Sequence, residues 1–350
     1  ASMIFSFLGY IGAFAVFATS QRLGLLFVAM FLFSVGEAFR TGTHKAMIFA
    51  WLAHHAREDE KIKVYGYTRS WSKIGSAVSV VAAAAMVFFL EQYRWVFLFS
   101  IAPYLLNIIN FLGYPSYLDG KRHRGGAMTI LRTLGKSLRD CFRSCPLRRL
   151  LTESMGFEGV YKVSKDYLQP VIHTAVLSLP LLLSIDNRQR TGLMVGAVYF
   201  VLFALGSVAS RHSHVLADRA GSDERGAHWI WVMNLVFFGV LAGALMGSFL
   251  MLAIVGFVVL SILQNFWRPL LIGRVADRTR MDRMATVLSV ESQAKSLFAA
   301  VLAPLLGLAV DLIPVQTGLR FLPVGVAGLG ISAVMLATSR SGGRQRPSSD

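Results

Sequence analysis

Apolar residues run along this chain in stretches too long for the core of a soluble domain. The windows 230–260 and 301–331 carry very few charges, and about 20 apolar residues are enough for a helix to cross the hydrocarbon core of a bilayer. The polar breaks between apolar runs predict ten helices, over 1–19, 23–53, 66–90, 93–117, 150–176, 192–217, 228–247, 249–273, 284–312 and 317–339. The chain therefore reads as an all-α integral membrane protein with several spans. The residues after Arg340, SGGRQRPSSD, are polar throughout and read as a disordered tail.

Two of these helices carry charge where lipid would not tolerate it. In FEGVYKVSKDYLQP (157–170), a helical turn of about 100° per residue places Glu158, Lys162, Lys165, Asp166 and Gln169 on one face. Glu158/Lys162 and Lys162/Asp166 have the i,i+4 spacing of opposite charges that attract along a helix. Each such charge turned to lipid costs roughly 2.5–3.5 kcal/mol on insertion scales, so the face must point into protein or water. The helix 23–53 repeats the pattern with Glu37, Arg40, Thr41, His44 and Lys45. Gln264, Asn265 and Arg268 add polar groups to 249–273, Asn107 and Asn110 to 93–117, and Glu291 and Lys295 form another i,i+4 pair in 284–312. Lys45, Arg69, Lys73 and Arg268 lie nearer the helix ends, where a long cation either lines a cavity or snorkels.

Composition supports the membrane reading. Of the 350 residues 55% are hydrophobic and 15% charged, and the mean hydropathy is +0.55; soluble domains carry about 25% charged residues. The net charge of +16 would suggest nucleic acid in a soluble chain. Here the cations gather in alternate connections. The segments 54–64, 119–149, 211–227, 274–283 and 340–350 hold 22 Lys and Arg, whereas the opposite set holds five: Arg22, Arg94, Arg188, Arg190 and Arg320. The positive-inside rule makes the first set cytoplasmic, the C-terminus included. The partners expected are thus a lipid bilayer, of the cell membrane, and no nucleic acid.

The basic loop 119–149 separates four spans from six, and part of it, 128–142, suits a short helix lying on the membrane surface. This divides the chain into 1–118, the loop 119–149, a six-helix bundle over 150–339 and the tail 340–350. Residues 1–19 lack the basic start of a secretory leader and read as a true span. The two cysteines, Cys141 and Cys145, have no metal-ligand neighbours and read as reduced thiols. His212 with His214, and His54 with His55, lack the further ligands a metal site needs. No P-loop, HExxH or GxSxG stands in the chain. No catalytic residue, no metal and no cofactor is expected, and the chain is not read as an enzyme.

Several local patterns resemble the major facilitator superfamily. HVLADRAG (214–221) is similar to that family's cytoplasmic Gly-x-Leu-Ala-Asp-Arg-x-Gly-Arg loop, with His214 in place of the first Gly and Ser222-Asp223 in place of the basic end. GRVADRTRMDRMATVLSV (273–290) resembles the loop before its eleventh helix, and VGEAFRTGTHKAMIF (35–49) its fourth helix, with Leu32 where the family often has Arg. The resemblance implies a two-bundle fold of six plus six helices, of which the four-plus-six count here lacks about the first two. It also implies cytoplasmic gating loops at Asp218, Arg219 and Gly221 and at Asp277, Arg278 and Arg283. An acid at such a helix end can cap a neighbouring helix and pair with an Arg.

The polar faces then read as one aqueous substrate cavity near the midplane, shared by both bundles: Glu37, Arg40, Thr41, His44, Glu158, Lys162, Lys165, Asp166, Gln169, Gln264, Asn265, Glu291 and Lys295. The function implied is a monomeric secondary transporter of a small polar solute working by alternating access, with H+ as the coupling ion. The surplus of cations hints at an anionic or zwitterionic solute. Glu37, Glu158, Asp166 and Glu291 are the carboxylates that could carry a proton, and none stands clear of a neighbouring cation. Two alternatives stay open. One is a multidrug/proton antiporter, although 66–90 lacks the Gly-Pro-Gly-rich pattern of such proteins. The other is a non-transporting sensor or scaffold whose charges are fixed packing pairs.

Overall fold

In a computed structural model the described residues are 2–90, 94–119, 139, 143–178, 187–279 and 283–341. Among them there is helix and turn and no strand. The helices are α1 (Ser2–Thr19), α2 (Leu23–His54), α3 (Lys61–Leu90), α4 (Arg94–Leu112), α5 (Cys145–Ser154), α6 (Val160–Asp166), α7 (Leu168–Ser178), α8 (Asn187–Arg211), α9 (Ser213–Ala220), α10 (Asp223–Met246), α11 (Leu250–Asp277), α12 (Met284–Asp311) and α13 (Leu322–Ser341). Seven of the described helices are long and apolar enough to cross a membrane: α1, α2, α4, α8, α10, α11 and α12. Many of their large apolar side chains face outward, such as Leu106, Ile109 and Leu112 on α4 and Val301, Leu305 and Leu308 on α12. A water-soluble monomer rarely exposes contiguous apolar patches of that kind; lipid removes the cost. The chain is a multi-pass integral membrane protein. The surface helix expected over 128–142, and Cys141 with it, lie outside the described residues.

Packing divides the chain into two units. Unit 1 comprises the described residues of Ala1–Tyr65, Val78–Arg148 and Val275–Ser292, and unit 2 those of Gly66–Ala77, Arg149–Arg274 and Gln293–Asp350. In unit 1, α1 and α2 touch backbone to backbone. A Cβ on Gly36 would stand 2.8 Å from the Ser6 carbonyl oxygen, and Ser6 Oγ donates to Gly36 O at 2.6 Å. Small residues permit such close helix approach, which is how helices gain contact in lipid. Phe7, Tyr10, Phe14 and Phe33 then meet Tyr104 of α4 in an aromatic cluster, with Tyr10 and Tyr104 centroids 5.0 Å apart. Asn107, a polar residue inside an apolar helix, donates to Pro103 O at 2.8 Å, one turn back along its own helix, so its amide finds an acceptor within α4.

In unit 2 the expected span 150–176 is one helical path in three pieces. A π-helical turn, Met155–Gly159, separates α5 from α6, and a turn at Tyr167 separates α6 from α7. Gly156 and Gly159 fit the wide turn against its neighbours: a Cβ at Gly156 would lie 2.7 Å from Met335, and one at Gly159 2.6 Å from Phe298. Between them Phe157 stacks on Trp267 at 4.6 Å and meets Trp231 edge-on. Gly325 brings α13 against Ala242 of α10, and Asn234 donates to Ser332 at 2.8 Å within the same buried seam.

Candidate functional site

The π turn carries Glu158. A π-helical turn adds one residue and re-aims the side chains around it; here it delivers Glu158 into the interior of unit 2, where the residue is 5% exposed. Arg268 of α11 donates to Glu158 Oε1 at 2.7 Å and Lys295 of α12 donates to Oε2 at 2.7 Å. One carboxylate thus bridges two cations from two other helices. Taking such charges out of water costs several kcal/mol per ion, and only near-ideal geometry offsets it. The three groups together retain one positive charge. The spacing argument paired Glu158 with Lys162, but Lys162 is exposed and, among the described residues, has no ion pair. Asp166 and Gln169 are exposed on the same face, and Lys165 is half-buried.

A second polar group in unit 2 centres on Arg69. Its guanidinium donates to Gln264 Oε1 at 2.9 Å and Asn265 Oδ1 at 3.2 Å. Asn265 Nδ2 in turn donates to Ser261 O at 2.8 Å, and Ser210 Oγ donates to Asn265 O at 3.3 Å. Beside it Ser70 and Ser207 share a buried hydroxyl hydrogen bond of 2.8 Å, and Gly66 lies so close to the Ser210 carbonyl that a Cβ there would clash with backbone. Gln264 and Asn265, both expected in the site, are therefore buried acceptors for an Arg that the residue pattern left between cavity and snorkelling.

In unit 1, Tyr10 donates to Glu37 Oε2, and Arg40 bonds both, at 3.0 Å to the Tyr10 hydroxyl and 3.0 Å to Glu37. Glu37 and Arg40 stay about two-fifths exposed. His44 follows one turn later, and the Thr41 side chain lies outside the described residues. Lys45 Nζ stands 3.9 Å from Glu291 Oε2, and Glu291 is fully buried. The i,i+4 pair Glu291/Lys295 thus sends its two members to partners on other helices, Lys45 and Glu158. Tyr10 went unnoticed in the sequence because a tyrosine inside an apolar run reads as packing. Its only signal is a hydroxyl well inside a span.

The loops assigned to gating behave unequally. Asp218 and Arg219 are exposed and, among the described residues, neither side chain has a partner. Gly221, at φ +73°, ends α9 in the left-handed region that glycine adopts without strain, and Ser222 Oγ caps α10 by accepting from Arg225 N. Asp277 accepts from Lys61, Arg278 is exposed and Arg283 half-buried. Unit 2 also holds a charge cluster that the motifs did not mark: Arg274 donates to Glu153 at 2.7 Å and to Glu224 at 2.5 Å, and Arg149 donates to Glu153 at 2.9 Å. Glu224 in the first turn of α10 and Arg274 in the last turn of α11 are placed as helix dipoles favour, which is the signal that could have found them. Among the described residues no group of His, Cys, Asp and Glu is placed to hold a metal ion.

The family model described as Major Facilitator Superfamily matches residues 1–304. A comparison with curated protein sequences finds no match. Among solved structures the chain is similar to the E. coli fucose:proton symporter FucP, with a TM-score of 0.66 at 11% identity over 99% of this chain and 84% of that one. It is similar to the human organic anion transporter MFSD10 (TETRAN), with a TM-score of 0.60 at 16% identity over 96% and 75%. A bacterial homologue of the iron transporter ferroportin, in an outward-facing state, gives 0.59 at 14% identity over 97% and 82%. At these identities the structural likeness speaks for the fold alone.

Proposed function

The chain belongs to the major facilitator superfamily, and from that premise we propose that it is a secondary active transporter of a small polar solute, anionic or zwitterionic. It works by exposing its site alternately to the two faces of the membrane. The bilayer and a small molecule are the partners of such a protein. The coupling ion in this reading is a proton, the active form is a monomer, and the chain sits in the cell membrane with its C-terminus in the cytoplasm. The observation that supports the reading best is Glu158 buried between Arg268 and Lys295. An ionisable group within a membrane span is expensive, and such groups generally mark solute or proton pathways. Protonation of that carboxylate would release two cations to an anionic solute, which is a direct way to tie a proton to an anion.

The test is flux into proteoliposomes of labelled acids, amino acids and sugars, with and without an imposed proton gradient. Gradient-sensitive uptake of an acidic solute, abolished by Glu158→Gln, is the expected result; no gradient-sensitive flux of any solute class would overturn it. One observation favours a second reading, a non-transporting scaffold: Arg274, Glu153, Glu224 and Arg149 are mutually satisfied and could serve packing alone. The multidrug antiporter keeps only the shared family.

A further inference from the structure

Tyr10, Glu37 and Arg40 of unit 1 belong to one hydrogen-bonded group. Tyr10 is 1% exposed and packs in the aromatic cluster of α1, α2 and α4. Its hydroxyl is fully used, donating to Glu37 and accepting from Arg40 Nε at 3.0 Å. Arg40 Nη2 donates to Glu37 Oε1 at 3.1 Å and to Oε2 at 3.0 Å. A guanidinium holds five N–H groups in a rigid fork, and the two on Nη1 have no acceptor among the described residues. One residue before Glu37, the Gly36 carbonyl accepts from Ser6 of α1, so the backbone that carries the pair is held as well. Lys45, the next lysine along α2, stands beside Glu291.

Glu37 and Arg40 lie near the middle of the 32-residue α2, and their side chains are about two-fifths exposed. Charges bared at that depth are tolerated against water and not against acyl chains, so the open side of the pair faces a wet space. The pair is neutral overall. A lone anion settling there adds a charge that Glu37 repels, and a lone cation adds one that Arg40 repels. A neutral polyol can hydrogen-bond to both groups but draws nothing from their charges. A zwitterion brings both signs at once, its acid group to the open Nη1 edge and its amine to the carboxylate, and no net charge enters. We propose that Glu37 and Arg40 form a head-group subsite for a zwitterion, with Tyr10 the residue that positions both. The proposal rests on the transporter reading above and selects the zwitterion from its two solute classes.

The probes are L-alanine, L-leucine and L-phenylalanine, titrated calorimetrically against the detergent-solubilised full chain. Beside each stands the acid without its amine (propanoate, 4-methylpentanoate, 3-phenylpropanoate) and the amine without its carboxyl (ethylamine, 3-methylbutylamine, 2-phenylethylamine), with glucose as the neutral comparator. Expected is saturable binding of at least one of the three zwitterions, about tenfold or more tighter than its acid, its amine or glucose. Glu37→Gln, which keeps an acceptor for Tyr10 and Arg40, should weaken that zwitterion about tenfold and erase its lead over the acid. Arg40→Gln should erase its lead over the amine; if that variant does not fold, Glu37→Gln carries the test alone. Such a selective loss is one that a merely structural pair would not show. Tyr10→Phe, which keeps the ring and loses the hydroxyl, should weaken the zwitterion about threefold or more. Tyr104→Phe, in the same cluster and without such hydrogen bonds among the described residues, should not. Binding and flux are separate readouts: zwitterion binding without gradient-sensitive flux keeps the subsite and overturns the transporter, whereas flux of an amine-free acid without zwitterion binding overturns the subsite alone. No saturable zwitterion binding, an acid, amine or glucose bound as tightly, or unchanged discrimination in Glu37→Gln would each overturn the subsite, and unchanged affinity in Tyr10→Phe would overturn the role of Tyr10.

Discussion

Two acids inside this protein are held in opposite ways. Glu158 is buried in unit 2 and bridged by cations from α11 and α12, so its position is fixed by tertiary structure. Glu37 in unit 1 is about two-fifths exposed, and its Arg40 partner is its own neighbour three residues along α2, with Tyr10 the contribution of another helix. Removing the first deprives two cations of their shared carboxylate; the second can rearrange within one turn of helix. Sequence spacing treats the two alike, since each acid has a cation within four residues. Burial separates them, because the cost of an unpaired charge rises as water is excluded.

Four substitutions sharpen that contrast. Glu158→Ala, which leaves Arg268 and Lys295 without their shared carboxylate, should destabilise unit 2 most, by roughly 3–5 kcal/mol, seen as a large drop in the thermal midpoint in detergent. Lys295→Met should cost less than Glu158→Ala, because a neutral Arg268–Glu158 pair survives; equal losses would break the picture of a shared bridge. Glu37→Gln retains an acceptor for Tyr10 and Arg40, so its loss should stay within about 1 kcal/mol. A loss as large as that of Glu158→Ala would erase the distinction between the two acids.

The smallest effect belongs to Glu60, partly exposed between α2 and α3, whose carboxyl is held below the ordinary carboxylate range by its hydrogen bonds from Arg57. Because the folded state lowers this value, the pair contributes above the ordinary glutamate range, about 4.3, and the contribution fades as pH falls through the depressed one. The melting midpoints of Glu60→Gln and the parent should be nearly the same at neutral pH and converge fully in acid. A gap that widens on acidification would contradict the sign.

Much of the fold was legible, and the reason is physical. Lipid demands long apolar helices, so α1, α2, α4, α8, α10, α11 and α12 stand where the polar breaks put them, with ends displaced by up to six residues, as in α8 at Asn187–Arg211 against the expected 192–217. The loop HVLADRAG resolved into a short helix of its own, α9, because Gly221 can take the left-handed conformation that stops it. The candidate site was legible as a set of residues and not as a set of pairs. Glu158, Glu291 and Lys295 all carry the charges that mattered, yet their partners come from helices more than a hundred residues away, and i,i+4 spacing cannot see across helices. Nothing in MGFEGVYKVSKD (155–166) announces a π turn. Only its two glycines, fitted against Met335 and Phe298, explain it, and both of those neighbours belong to the tertiary structure.

The central claim is that the charged face of α6 borders a solute path. A single cysteine at Lys162, which is exposed and without an ion pair among the described residues, tests it most directly once Cys141 and Cys145 have been replaced. The measurement is labelling by a membrane-impermeant thiol reagent, applied from each face in turn and repeated with solute present. The account predicts labelling that the transported solute slows. Labelling blocked from both faces would contradict it and leave the charges as packing pairs.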